Sequence, residues 1–228
     1  MDGLLLDSEP LWEVVQDDFC KRRGARYDDE AIVACVGRGI RHSAIYLAER
    51  FGFDGDPDEH VTEIVGDFAA QVAGVPACVG AEALLRALSG RVPMALGTSS
   101  ASHVVSAAMG ARGWLPLFDA IVTGSDVTHP KPAPDIYLEA ARRIGVDAAR
   151  CVVLEDSLAG ALSGKAAGAR VLAVAGPAHR SLPAELVRLA DHAVTDLVAA
   201  LAWIDRGATT LATQPRHGDH TPGTLAAV

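Results

Sequence analysis

Hydrophobic spacing changes character near residue 75. Before that point the apolar positions recur at helical intervals. Leu11, Val14, Val15 and Phe19 share one face of a helix predicted over residues 10–23 and stopped by Gly24. Further helical patterns cover residues 28–36, 42–51 and 58–73. They are separated by Gly37-Arg38-Gly39 and by the glycine- and aspartate-rich run at 52–57. This block carries no strand signal. From residue 80 onward the pattern alternates. Helices are predicted over 81–89, 101–111, 134–144, 158–167 and 196–203, and short apolar strands over 92–96, 120–122, 151–154, 170–174 and 192–194. Such alternation predicts an α/β fold, with βαβ units building a parallel sheet covered by helices on both faces. Residues 206–228, rich in Thr, Pro, Gly and His without periodicity, are predicted to be a disordered tail.

Parallel sheets of this kind place their sites at the carboxyl ends of strands, and four polar clusters fall at such ends. The chain opens Met1-Asp2-Gly3, followed by Asp7-Ser8. This reads as a turn leaving a strand: Gly3 permits the bend and Asp7-Ser8 can cap the helix that follows. Gly97-Thr98-Ser99-Ser100 sits between a strand and a helix, where a hydroxyl and helix-terminal N–H groups can hold an anion. An ordinary Ser/Thr cap has the same pattern. In Pro130-Lys131-Pro132-Ala133-Pro134-Asp135 three prolines stiffen the backbone around one lysine. Glu155-Asp156-Ser157 ends an apolar strand, and two adjacent carboxylates there call for a cation or solvent. Oxygen donors of this type suit Mg²⁺, although paired acids also serve simply as helix caps.

Each cluster alone is a weak signal; the four in this order resemble the haloacid dehalogenase superfamily, in its phosphatase and β-phosphoglucomutase-like branch with a helical cap. The resemblance covers the chain to about residue 205. It implies a Rossmann-like parallel sheet core at 1–9 and 79–205 and an inserted all-helical cap at 10–78. Asp2 would be the acid/base aspartate, Thr98 and the Ser99 amide would hold the phosphoryl group, and Lys131 would be the motif lysine. Asp156 would bind Mg²⁺ directly, Glu155 directly or through water, and Asp2 through its backbone carbonyl. Arg38 and Arg41, in the loop between cap helices, are candidates for substrate contact. The implied reaction is Mg²⁺-dependent hydrolysis of a small phosphorylated metabolite through an aspartyl-phosphate. A phosphomutase, or a binding protein without activity, shares the same motifs. The family's attacking aspartate falls one residue before Met1. The expectation is therefore that the natural chain begins earlier, with an apolar strand ending in Asp, and that residues 1–228 alone are crippled.

Composition narrows the picture from outside. Half of the 228 residues are hydrophobic and only 5% aromatic, which suits a buried parallel sheet. A net charge of −9 argues against a nucleic-acid partner. The four cysteines, Cys20, Cys35, Cys78 and Cys151, are widely spaced and fit reduced thiols better than zinc or a disulfide framework. No apolar run reaches membrane length and the first residues lack a basic signal-peptide start. A cytoplasmic protein, monomeric or weakly dimeric, is expected.

Overall fold

The computed structural model describes residues 1–36, 39–177, 182–212 and 226–227. Four helices come first: α1 (Glu9–Arg22), α2 (Asp29–Cys35), α3 (Ile40–Phe51) and α4 (Pro57–Gln71). Local chemistry sets their ends. Pro10 lies in the first turn of α1, where a missing N–H costs nothing. Asp28 caps α2 by accepting from the Ala31 N–H, and Asp56 caps α4 ahead of Pro57. Val15, Phe19, Ile64 and Phe68 are fully buried between these helices, and Trp12 stacks on Phe68 with ring centroids 3.7 Å apart. The return leg closes on the start of the chain: Asp7 N–H donates to the Pro76 carbonyl (3.0 Å), and Cys78 N–H to the Leu5 carbonyl (2.9 Å).

The remainder alternates: α5 (Ala81–Leu88), β1 (Ala95–Gly97), α6 (Ser102–Gly110), β2 (Ala120–Val122), α7 (Asp135–Arg143), β3 (Cys151–Glu155), α8 (Leu158–Ala166), β4 (Arg170–Val174), α9 (Ala184–Leu189), β5 (His192–Val194), α10 (Leu197–Ala212) and β6 (Ala226–Ala227). All pairings between these strands are parallel. Side-chain alternation feeds two apolar clusters. Val152, Leu154, Leu172 and Val174 join one with Leu84, Val104 and Ala200; Cys151, Val153, Val171 and Ala173 join the other with Ile136, Ala140 and Ala161. The sheet is thus covered on both faces, as expected for βαβ units. The first cluster runs on without a break through Leu6, Val72 and Val75 to Phe19 and Ile64 of the helical block.

The sheet is divided. Among the described residues β1 pairs only with β2, while β5, β4, β3 and β6 form a separate four-stranded piece. β6 lies on the side of β3 away from β4, with Ala226 opposite Cys151 and Ala227 opposite Val152.

Three expectations are corrected. The strand predicted at 92–96 forms at Ala95–Gly97. Pro93 has no N–H to give, and the Met94 N–H is taken by the Asp119 carboxylate (2.8 Å), so the ladder starts only at Ala95. The last helix runs to Ala212, past the predicted end at 203. The disorder expected over 206–228 is therefore replaced by helix up to 212 and by a strand at 226–227; residues 213–225 and 228 lie outside the described residues. The short α9 was not predicted at all.

Candidate active site

Two cavities meet where the first residues face the strand ends. The first, about 390 Å³, is lined from one side by Met94, Leu96 and Thr98 of the β1 region and from the other by Leu154, Glu155 and Asp156. Asp2 and Lys131 also line it. The second, about 360 Å³, lies between this region and the helical block, and shares Asp2, Glu9, Gly39, Ser99 and Ser100 with the first.

Asp2 is held by a tight turn. Leu5 and Leu6 N–H groups both donate to the Met1 carbonyl, and Gly3 N–H to the Leu6 carbonyl. Gly3 has φ +67°, a conformation L side chains rarely adopt, and a methyl group there would run into the Asp156 carboxylate. The bend thus brings the backbone beside Asp2 directly against Asp156. Ser100 Oγ donates to Asp2 Oδ2 at 2.6 Å. The other oxygen, Oδ1, is buried without a hydrogen-bond partner.

Thr98 is 3% exposed at the end of β1. Its Oγ1 accepts from the Ser100 N–H (3.2 Å), and its own N–H donates to the Val122 carbonyl. Its hydroxyl hydrogen remains available to an acceptor in the cavity. Ser99 is exposed and lines both cavities.

Lys131 and Glu155 form a buried pair. Lys131 Nζ donates to Glu155 Oε1 at 2.5 Å, to Tyr137 Oη at 2.8 Å and to the Gly97 carbonyl at 3.4 Å. Tyr137 Oη also donates to Glu155 Oε1, and Ser157 Oγ to Oε2 at 2.8 Å. Both Glu155 oxygens are therefore engaged by protein donors. Burial pushes the Glu155 carboxyl up, but the charge and hydrogen bond of Lys131, with Tyr137, outweigh it and hold the group well below the usual carboxylate range. Asp156 is the opposite case: burial first, then the neighbouring Glu155 charge, raise its carboxyl. The α-ammonium of Met1 lies close enough to lower both.

The structure thus brings Asp2, Thr98, Ser99, Lys131, Glu155 and Asp156 to one cavity. Arg41 is not brought there: it pairs with Asp58 (3.1 Å) on the exposed outside of α3 and lines neither cavity. Arg38 lies outside the described residues. Two residues that sequence reasoning missed complete the arrangement. Ser100 orients Asp2, and its only signal was a third hydroxyl in the Thr-Ser-Ser run. Tyr137 bridges Lys131 and Glu155, and nothing in the sequence separates it from a core aromatic.

Among the described residues no group of three or more His, Cys, Asp or Glu side chains stands ready to hold a metal. Two carboxylates do face the same cavity, however. Asp2 has an orphaned buried oxygen, and burial together with the Glu155 charge raises the Asp156 carboxyl. This donor set fits Mg²⁺, which takes one or two carboxylates and completes its shell with water and phosphate oxygen.

Comparison with known proteins bears on the family and the fold. Residues 1–174 match the family model of haloacid dehalogenase-like hydrolases. The chain is 34% identical over 203 residues to the bifunctional riboflavin kinase/FMN phosphatase of Arabidopsis thaliana, covering 87% of this chain but about half (52%) of that larger enzyme. It is 33% identical over 168 residues to the fructose-1-phosphate phosphatase of Escherichia coli, covering 74% of this chain and 89% of that one. Among solved structures, a family hydrolase from Deinococcus radiodurans with bound phosphate and sodium superposes with a TM-score of 0.71 at 32% identity, over 91% of this chain and 93% of that one. With the family pattern matched along most of its length and the same fold in a solved relative, this chain belongs to the haloacid dehalogenase-like hydrolases.

Proposed function

We propose that this site hydrolyses phosphate monoesters of small metabolites, with residues 10–78 acting as the cap over a core formed by 1–9 and 79–205. The observation that carries the reading is the convergence on one cavity of a buried, pinned ammonium (Lys131), a hydroxyl at a strand end (Thr98) and two carboxylates (Asp2, Asp156). The phosphatase names of the two sequence relatives support it.

Each residue then has a task. Lys131 is fixed by Glu155 and Tyr137, so its charge reaches phosphoryl oxygens without losing side-chain freedom at the moment of reaction. Thr98 donates its hydroxyl to the same oxygens. Asp2, oriented through Oδ2 by Ser100, uses Oδ1 to protonate the leaving oxygen and then to take a proton from water. Asp156, through its carboxylate, and Asp2, through its backbone carbonyl, would hold Mg²⁺, which when bound would supply charge neutralisation for the phosphoryl group. Glu155, with both oxygens occupied, is better placed to anchor Lys131 than to ligate the metal. The helical block supplies one wall of the second cavity through Trp12, Gln16, Tyr27 and Ile40, the place a cap would take.

The family's attacking carboxylate would stand two residues before Asp2. The reading is tested with that carboxylate supplied. The test adds an apolar segment of about five to eight residues ending in Asp ahead of Met1, and measures Mg²⁺-dependent hydrolysis of phosphosugars, phosphoglycolate and nucleotides. Turnover should rise by about a thousandfold or more over the chain as it stands. Equal rates in the two would mean that another group attacks phosphorus.

A further inference from the structure

The second cavity carries polar groups that the proposed chemistry does not use. Gln16 is 6% exposed and lines the cavity from α1. Its Nε2 donates to the Trp12 carbonyl at 2.9 Å, and since a carbonyl can only accept, this bond fixes which way the amide points. Its Oε1 is then a buried acceptor with no partner. Tyr27 is 7% exposed on the same cavity, and its hydroxyl also lacks a hydrogen-bond partner, with the Cys35 thiol beside it. Buried polar atoms are rarely left unpaired, and those that are mark places where a ligand or water completes the set.

The surroundings narrow the ligand. Trp12, Ile40, Val61 and Val104 supply apolar wall, and the charged lining groups among the described residues are carboxylates, Asp2, Glu9 and Glu13. No Lys, Arg or His lines this cavity among the described residues. A carboxylate or second phosphate entering it would meet like charge and, among the described residues, no cation. Hydroxyl groups meet what they need: Gln16 Oε1 accepts, while Tyr27 Oη both donates and accepts. The cavity opens onto the first at Asp2, Ser99 and Ser100, so a molecule with its phosphate beside Lys131 extends its remainder between Gln16 and Tyr27.

We propose that Gln16 and Tyr27 are specificity-determining residues which select an uncharged, polyhydroxylated leaving group, so that the substrate class is a monophosphate of a small sugar or polyol. The inference rests on the phosphate-binding reading of the first cavity, and the experiment separates the two. Binding to the chain as it stands, with Mg²⁺ present, is measured calorimetrically for inorganic phosphate, ethyl phosphate, sorbitol 6-phosphate and phosphoglycolate. Inorganic phosphate reports on the first cavity alone. Sorbitol 6-phosphate should bind about tenfold tighter than ethyl phosphate, on the order of one or two buried hydrogen bonds, and phosphoglycolate should bind weakest of the three esters. Gln16→Leu and Tyr27→Phe should each remove most of the sorbitol preference while leaving the affinity for inorganic phosphate unchanged. If Gln16→Leu loses its fold by circular dichroism, Gln16→Met, closer in shape, takes its place. Equal affinity for the sorbitol and ethyl esters, a preference for phosphoglycolate, or variants that keep the preference would each overturn the inference while phosphate binding stands. Failure of inorganic phosphate to bind the folded chain would remove both readings.

Discussion

Lys131 and Glu155 face each other at 2.5 Å with side chains only 12% and 7% exposed, and Tyr137 contacts both. A buried pair of this kind is costly to break from one side, because the remaining charge has no solvent to turn to. Glu155→Ala and Lys131→Met should each destabilise the fold by ~3–5 kcal/mol, whereas the double replacement Lys131→Met with Glu155→Leu should cost less than the two singles together. Urea denaturation of the four chains checks this; additive losses would show that the two charges are independent.

Asp156 and Asp2 are the donors assigned to Mg²⁺. Titration calorimetry should show Mg²⁺ binding to the unmodified chain, weakened at least tenfold in Asp156→Ala, on the order of one lost charge-assisted contact. Unchanged affinity in Asp156→Ala would place the metal elsewhere.

Gly3 combines a left-handed φ of +67° with contact against the Asp156 carboxylate. Gly3→Ala should therefore cost ~1–3 kcal/mol in backbone strain and also displace Asp156. Both a lowered Tm and a weakened Mg²⁺ titration are expected. A Tm loss with unaltered metal binding would mean that the turn and the carboxylate are not coupled.

In the helical block Arg22 and Arg23 of the α1 end reach Glu63 on α4. The hydrogen bond from Arg23 is the main cause holding the Glu63 carboxyl at about 2, below its ordinary 4.5. A depressed acid contributes stability that is fully present above the unfolded value and is lost as pH falls through the folded one. Packing of α1 on α4 should weaken between about pH 4.5 and pH 2. Glu63→Gln should flatten that part of the stability–pH curve, with a loss at neutral pH of less than about 1 kcal/mol, since the pair is partly solvated. A curve unchanged by the substitution would assign the acid response to other groups.

Much of this was legible in the residues themselves. Periodicity placed all four early helices and the five strands of the alternating half to within a few residues, because the apolar spacing is strong and Gly or Pro marks most ends. Strand-end logic gathered Asp2, Thr98, Lys131 and Asp156, which do share one cavity. What escaped depends on tertiary context. The start of β1 is set by a side chain 25 residues away, Asp119, capturing the Met94 N–H. Arg41 looked available because its partner Asp58 comes from the next helix. Tyr137 has no local signature, since its role exists only once α7 sets it between Lys131 and Glu155. The six-residue α9 is too short for periodicity to register.

The division of the sheet has a mechanical consequence. Hydrogen bonds normally tie a parallel sheet into one cooperative plate, but here β1–β2 and β3–β4–β5 have no ladder in common among the described residues. They are joined instead through packed helices and the side chains lining the first cavity. The two plates can therefore open at different free energies, and the seam between them runs through the active-site cavity. Amide protons of Leu96 and Val122 should exchange with solvent faster than those of Val153 and Leu172, and a molecule that fills the cavity should draw the two rates together.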